Sequence, residues 1–308
     1  MSTTQKADSM VMPADIVPLL EQAEAEEMSE FQSLVVGEER TALSMASVRL
    51  RGGVCMSVGN DPDEYWNKAL GFGFEAPVTT SLVSDVLDFY TTHQSRVAVL
   101  QFAPSVMPTH WERIAREFGL QRTAGVIKFA APVETVIAAG RSAELAEGLS
   151  VEAVRPEHAA NWAHTVVSGM GMKENCFLPG SIGTVGHPAW RPFGVRDGDG
   201  NYVAGGNLRI HGPVATLFAG ATLPQARNLG AQGALVRARA LAAREAGCEW
   251  LFVETGPSTP ERPNPSYRNM LRYGFEIAYQ RPNWVWKRPL THGVSNSISA
   301  GSRSAAVS

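Results

Sequence analysis

The residues best suited by type and spacing to do chemistry lie between Val214 and Gly247. Arg227-Asn-Leu-Gly-Ala-Gln-Gly233 follows a strand pattern, Val214 to Ala221, which Pro224 closes. An alanine-rich helix then runs from Ala234 to Ala246, and Gly247 stops it. The first N–H groups of such a helix have no acceptor inside it, and the aligned peptide dipoles add partial positive charge there. A diphosphate fits that end. Gly230 and Gly233 let backbone approach the anion closely, and Arg227 can add a charge-assisted bond. A strand, a glycine turn and a helix also make an ordinary crossover, so the elements around them carry the decision.

Those elements are a second strand, Trp250 to Thr255, a proline-rich stretch, Ser258 to Pro265, a short helix carrying Ser266-Tyr-Arg-Asn269, and a Gly274-Phe275 turn. The train resembles the GNAT superfamily of acyl-CoA-dependent N-acetyltransferases, whose cofactor loop reads Arg/Gln-x-x-Gly-x-Gly/Ala. Arg227 and Gly230 match, and Gln232 stands where Gly or Ala is usual. The resemblance implies acetyl-CoA as co-substrate. It implies cofactor contacts from Ala221 and Thr222 at the strand end, from Arg227, Asn228, Leu229, Gly230, Ala231, Gln232 and Gly233 in the loop, and from Ser266 and Asn269 on the following helix. It also implies that the strand around Phe218 splays from the next parallel strand, leaving the acyl group in the gap.

Acyl transfer to an amine needs a neutral nitrogen at attack, a stabilised oxyanion and a protonated leaving thiolate. Glu254, at the end of the strand flanking the gap, is the candidate base, with His211, Glu174 and a water chain as rivals. For the acid, the family often has a tyrosine four residues before the Gly of the Gly-Phe turn. Met270 holds that position here, so Tyr267, one helical turn earlier, is the candidate, while Tyr273 is expected to point elsewhere. Both tyrosines can equally be core aromatics. The proline-rich stretch reads as a fixed lip or a plain surface loop, and residues 169–192 read as an ordered loop wall with aromatic anchors that sets acceptor specificity.

Composition narrows the rest. The chain has 308 residues, 44% hydrophobic, enough for one large or two ordinary domains, and a net charge of −3 offers no basic field for nucleic acid or an anionic membrane. No apolar run approaches a membrane span or a signal peptide, so a cytoplasmic protein is expected. Cys55, Cys176 and Cys248 are too few and too scattered for a disulfide framework or a metal site, and the seven histidines show no ligand spacing. A Cys176–His187 nucleophile is the remaining alternative use of a cysteine.

The chain also repeats itself. Met12-Pro-Ala14 with a helix from Ile16 to Phe31 echoes Arg155-Pro-Glu157 with a helix from Ala159 to Val167. The Pro77, Pro104 and Gly119 landmarks echo Pro224, Pro257 and Gly274 in the same order. The first copy of the turn and helix has no Gly and no Arg, and Asp85 places a carboxylate near the helix start, which would repel phosphate. The expected fold is α/β (α+β): two GNAT-like halves, each a mixed, mostly antiparallel sheet flanked by helices, meeting in a continuous or abutting sheet. The expected boundaries are a disordered 1–9, a degenerate half at 10–136, a linker at 137–149, the acetyltransferase half at 150–289 and a disordered tail at 290–308. The expected function is transfer of acetyl from acetyl-CoA to a primary amine of a small molecule by direct attack. The rivals are a non-catalytic acyl-CoA-binding module and a protein N-acetyltransferase. No feature sets the oligomeric state.

Overall fold

The computed structural model describes residues 12–61, 65–142, 144–173 and 176–289; the expectations for 1–9 and 290–308, and for Glu174, fall outside them. The chain opens with α1 (Ile16–Ser33), whose Ile16, Leu20, Ala23, Met28 and Phe31 are buried. The same helix buries Glu21, Glu24 and Glu27, an unusual load for an element that should turn its acids to water. After the short α2 (Gly37–Ala42) come β1 (Met45–Leu50), β2 (Gly53–Val58), β3 (Lys68–Leu70), α3 (Thr80–Thr92), β4 (Val97–Gln101), α4 (Trp111–Glu117), β5 (Gln121–Pro132) and α5 (Val133–Ala139). The second half runs β6 (Ser150–Ala153), α6 (Ala159–Met170), α7 (Phe177–Thr184), β7 (Trp190–Arg196), β8 (Tyr202–His211), β9 (Val214–Thr222), α8 (Ala231–Glu245), β10 (Trp250–Thr255), α9 (Pro265–Arg272) and β11 (Glu276–Lys287).

All eleven strands form one sheet in the order β1-β2-β3-β4-β11-β5-β10-β9-β8-β7-β6. Exchanging β1 through β5 with β7 through β11 reverses this order and leaves it otherwise unchanged, apart from β6 at the far edge. The two parallel pairs, β3 with β4 and β9 with β10, exchange as well. The sheet is continuous because the last strand of each half lies beyond its own half. β5 is hydrogen-bonded between β10 and β11, and β11 between β4 and β5. Neither half closes its part of the sheet alone.

Two sequence expectations are corrected. The start of α3 is capped by the Thr79 hydroxyl, which accepts from Leu82 N at 3.2 Å, whereas Asp85 lies in the second turn and pairs with Arg51. An ordinary hydroxyl cap, rather than a carboxylate, therefore sits at this helix end. Residues 169–192 are not all loop, because α7 forms within them; its glycines pack tightly, with a Cβ on Gly180 meeting the Phe31 ring at 2.7 Å.

Candidate active site

The site begins where β9 and β10 part. They pair in parallel only from Val214, Ala215 and Thr216 to Trp250, Leu251 and Phe252. Beyond that, β9 bulges. Gly205 still faces Ala221 and Asn207 faces Phe218, so Ala219 and Gly220 together oppose Gly206 alone, with Ala219 at φ 55°. The bulge turns β9 away from β10 and takes Ala219 and Gly220 out of the regular ladder. Leu217 and Val253 face α8 and α9, whereas Thr216 and Phe218 face α1.

A cavity of about 700 Å³ lies on the α8 side, lined by Ala221, Thr222, Arg227, Asn228, Gly230 and Ser266 among others. Gln232, Gly233, Ala231 and Asn269 also line it, so the sequence-derived cofactor residues converge there with the exception of Leu229, an exposed side chain outside its walls. Tyr273 also lines it, contrary to the expectation that it points away. No side chain caps the start of α8, so its first N–H groups face this space. Thr222 Oγ1 is buried against the cavity without a partner, and Arg227, Arg268 and Arg272 ring it. A helix end, an orphaned hydroxyl and three guanidinium groups suit the diphosphate of an acyl-CoA.

The role of Gly230 differs from the expectation. It caps α8 at φ 82°, and a Cβ there would lie 2.0 Å from the Glu144 carbonyl oxygen. The linker, tied by Ala146 N to Leu229 O at 3.1 Å, crosses directly behind the loop. Glycine at this position lets two backbone segments cross; close approach to an anion is not what demands it.

A second cavity, about 230 Å³, opens on the α1 side and shares Gly220, Gln232 and Ser266 with the first. The two cavities adjoin at these shared residues, beside the split in the sheet. Its walls are Leu20, Glu24, Glu27 and Met28 of α1, Tyr65 and Trp66 ahead of β3, Met172, Phe177, Thr216 and Phe218, together with Lys128, Glu254 and Arg239. The apolar side is a packed aromatic cluster: Phe31 lies 5.5 Å from Trp66, 5.5 Å from Phe177 and 4.9 Å from Phe218, centroid to centroid.

The charged side is a network that the sequence did not reveal. Arg281 Nη1 donates to Glu21 at 2.8 Å and to Glu24 at 2.5 Å, and Nη2 donates to Glu24 at 2.7 Å. Lys128 Nζ donates to Glu24 at 2.7 Å, and both cations reach Glu254 Oε2 at 3.2 Å. Burial opposes ionisation of Glu24, but the charges of Arg281 and Lys128 overcome it and hold its carboxyl well below the usual range. Glu254 therefore lines the cavity as expected, with one oxygen engaged by two cations. Glu27 behaves differently. Burial pushes its carboxyl up to about 8, against the hydrogen bond donated by Thr216 Oγ1.

Tyr267, the candidate acid, lines neither cavity; its ring stands edge-on to Phe129, centroids 5.4 Å apart. Met270 occupies the gap in its place. His211 is not a wall residue either, and its Nδ1 lies 3.2 Å from Arg209. Cys176 is wholly buried in the aromatic cluster, and His187 lies 3.9 Å from Glu30. The proline-rich stretch is fastened at Asn264, whose side chain donates to Thr255 Oγ1 at 2.9 Å and to Gly256 O at 2.8 Å while capping α9. Among the described residues no group of three or more His, Cys, Asp and Glu side chains is placed to hold a metal, and no helix is long and apolar enough to cross a membrane.

No protein-family model matches the chain, and no curated protein matches it in sequence. Solved structures do match. A GCN5-related N-acetyltransferase from Kribbella flavida superposes with a TM-score of 0.59 at 13% identity, over 90% of this chain and 97% of that one. A GCN5-related N-acetyltransferase from Sphaerobacter thermophilus gives 0.54 at 14%, over 91% and 95%. A tandem GNAT protein from the clavulanic acid biosynthesis pathway gives 0.54 at 13%, over 87% and 96%. The fold is that of the GNAT superfamily.

Proposed function

We propose that this GNAT-fold chain transfers an acetyl group from acetyl-CoA to a primary amine of a small molecule, by direct attack and without an acyl-enzyme. The observation that carries the reading is the pair of chambers that adjoin at the split in the sheet. An anion-binding chamber at the start of α8 and a carboxylate-lined chamber under α1 meet at Gly220, Gln232 and Ser266. That is the arrangement required if two substrates enter from opposite faces and react in the middle. The 230 Å³ of the α1 chamber, closed by a helix and an aromatic cluster, favours a compact acceptor over a protein side chain on a large surface. A pure binding module would need no second chamber.

Titration calorimetry with acetyl-CoA and thiol detection across a panel of small amines test the reading together. One cofactor site per chain and thiol release that depends on an amine are expected. Binding without thiol release for every amine offered would favour the binding module, and absence of binding would end the assignment.

A further inference from the structure

The α1 chamber draws a large share of its walls from the first half of the chain, which holds no counterpart of the anion cradle. α1 contributes Leu20, Glu24, Glu27 and Met28, and the segment before β3 contributes Tyr65 and Trp66. Three carboxylates line the chamber, and they are not equivalent. Glu24 is bonded to Lys128 and Arg281, and Glu254 accepts from the same two cations. Glu27 has only the neutral hydroxyl of Thr216. The charges around Glu27 are otherwise committed: Arg209 of β8 is bonded to Glu30 at 2.8 Å, and Arg239 of α8 donates to the carbonyls of Leu235 and Asn207 at 3.1 Å each. Glu24 on its own helix and Glu254 on β10 add like charge.

Resting on the acetyl-transfer reading, we propose that Glu27, supplied by the first half, is the catalytic base of the second half's site, and that the acceptor is a compact primary amine with an apolar body. A buried carboxylate without a cation of its own is a place for an ammonium group. Beside it, Phe177, Phe218, Met28 and Met172 offer an apolar wall, to which Trp66 adds its ring and one indole N–H without a partner. Because burial holds Glu27 near the range of an amine, a proton can pass between the two at modest cost. The acceptor's ammonium gives one proton to Glu27. The freed nitrogen lone pair forms the C–N bond to the thioester carbonyl carbon, and the C–S bond breaks with its electron pair leaving on sulfur. Sulfur takes the second proton lost by nitrogen, and Glu27 returns its own to solvent, so the products are one amide, one thiol and one proton.

The tests use the full chain with acetyl-CoA and five amines: phenethylamine, tyramine and hexylamine against ethanolamine and spermidine. The apolar-bodied three are expected to give the higher kcat/KM. Glu27→Gln should lower kcat about 100-fold or more and remove the limb of the pH–rate profile that reports this group, while calorimetric affinity for acetyl-CoA stays within about twofold. Met172→Ser should raise KM for phenethylamine several-fold with kcat little changed. In the absence of acetyl-CoA, thermal melts should show Glu27→Gln gaining stability over the parent as pH rises from 5 to 8, which shows that the variant is folded and that Glu27 titrates there. Parent-like kcat in Glu27→Gln, or preference for ethanolamine and spermidine, overturns this proposal alone. A parent that binds no acetyl-CoA, or releases no thiol with any amine, overturns the acetyl-transfer reading and this proposal with it.

Discussion

At the scale of single residues, the buried acids of α1 divide by the partners they have. Glu21 and Glu24 are satisfied by Arg281 and Lys128, so they fasten the helix to the sheet. Removing one partner from such a set leaves charge buried and uncompensated, so Arg281→Met is expected to destabilise by roughly 3–5 kcal/mol, read by denaturant unfolding. Glu27 should show the opposite sign. Its folded-state value of about 8 lies above the ordinary 4.5, so between these the folded chain keeps a proton that the unfolded chain releases. Stability then falls as pH rises through that window and levels off above it. Glu27→Gln abolishes this dependence, with a gain at pH 8 on the order of a few kcal/mol. A variant that is more stable and less active is what a functional acid predicts and a merely structural one does not. The helical positions of these glutamates were visible in the sequence. Their burial was not, because their partners Lys128, Thr216 and Arg281 lie 100 residues or more away and no local pattern links them.

At the scale of elements, the unit proposed to cradle the diphosphate was legible because it is local. Its strand, loop and helix are contiguous, and each stop signal acts on its own neighbours. The split between β9 and β10 was legible only through family resemblance, since it arises from a bulge at Ala219 and Gly220 that no residue type announces. The loop glycine has a structural requirement that the sequence did not announce. Gly230 is needed because Glu144 O lies where its Cβ would be, so Gly230→Ala should lower the melting temperature by several degrees whatever the cofactor does. Gln232 separates the two effects. It lies in the first turn of α8 and lines both chambers, so Gln232→Glu adds a charge that the helix end tolerates or favours but that repels a diphosphate. Acetyl-CoA affinity should fall at least roughly tenfold with no loss of melting temperature. Unchanged affinity would remove the diphosphate from this end of the helix.

At the scale of the molecule, the repeat found in the sequence and the order of the sheet agree, but the exchange of last strands could not be read from either half. Strand pairing depends on which edge is free when the chain folds, and β5 and β11 carry apolar patterns that would serve at either edge. The exchange makes the halves interdependent. β5 fills the space between β10 and β11, α1 covers the open side of β9, and the buried charges of α1 are neutralised by a lysine from the first half and an arginine from the second. A fragment of residues 150–289 therefore lacks the strand between β10 and β11, the partners Glu21 and Glu24 of Arg281, and the proposed base. Denaturant unfolding of the full chain should give one cooperative transition by both fluorescence and circular dichroism. The fragment should show no cooperative transition and bind no acetyl-CoA. Two resolved transitions in the full chain, or a fragment that folds and retains thiol release, would show that the second half completes its own site and that the first half is a passive support.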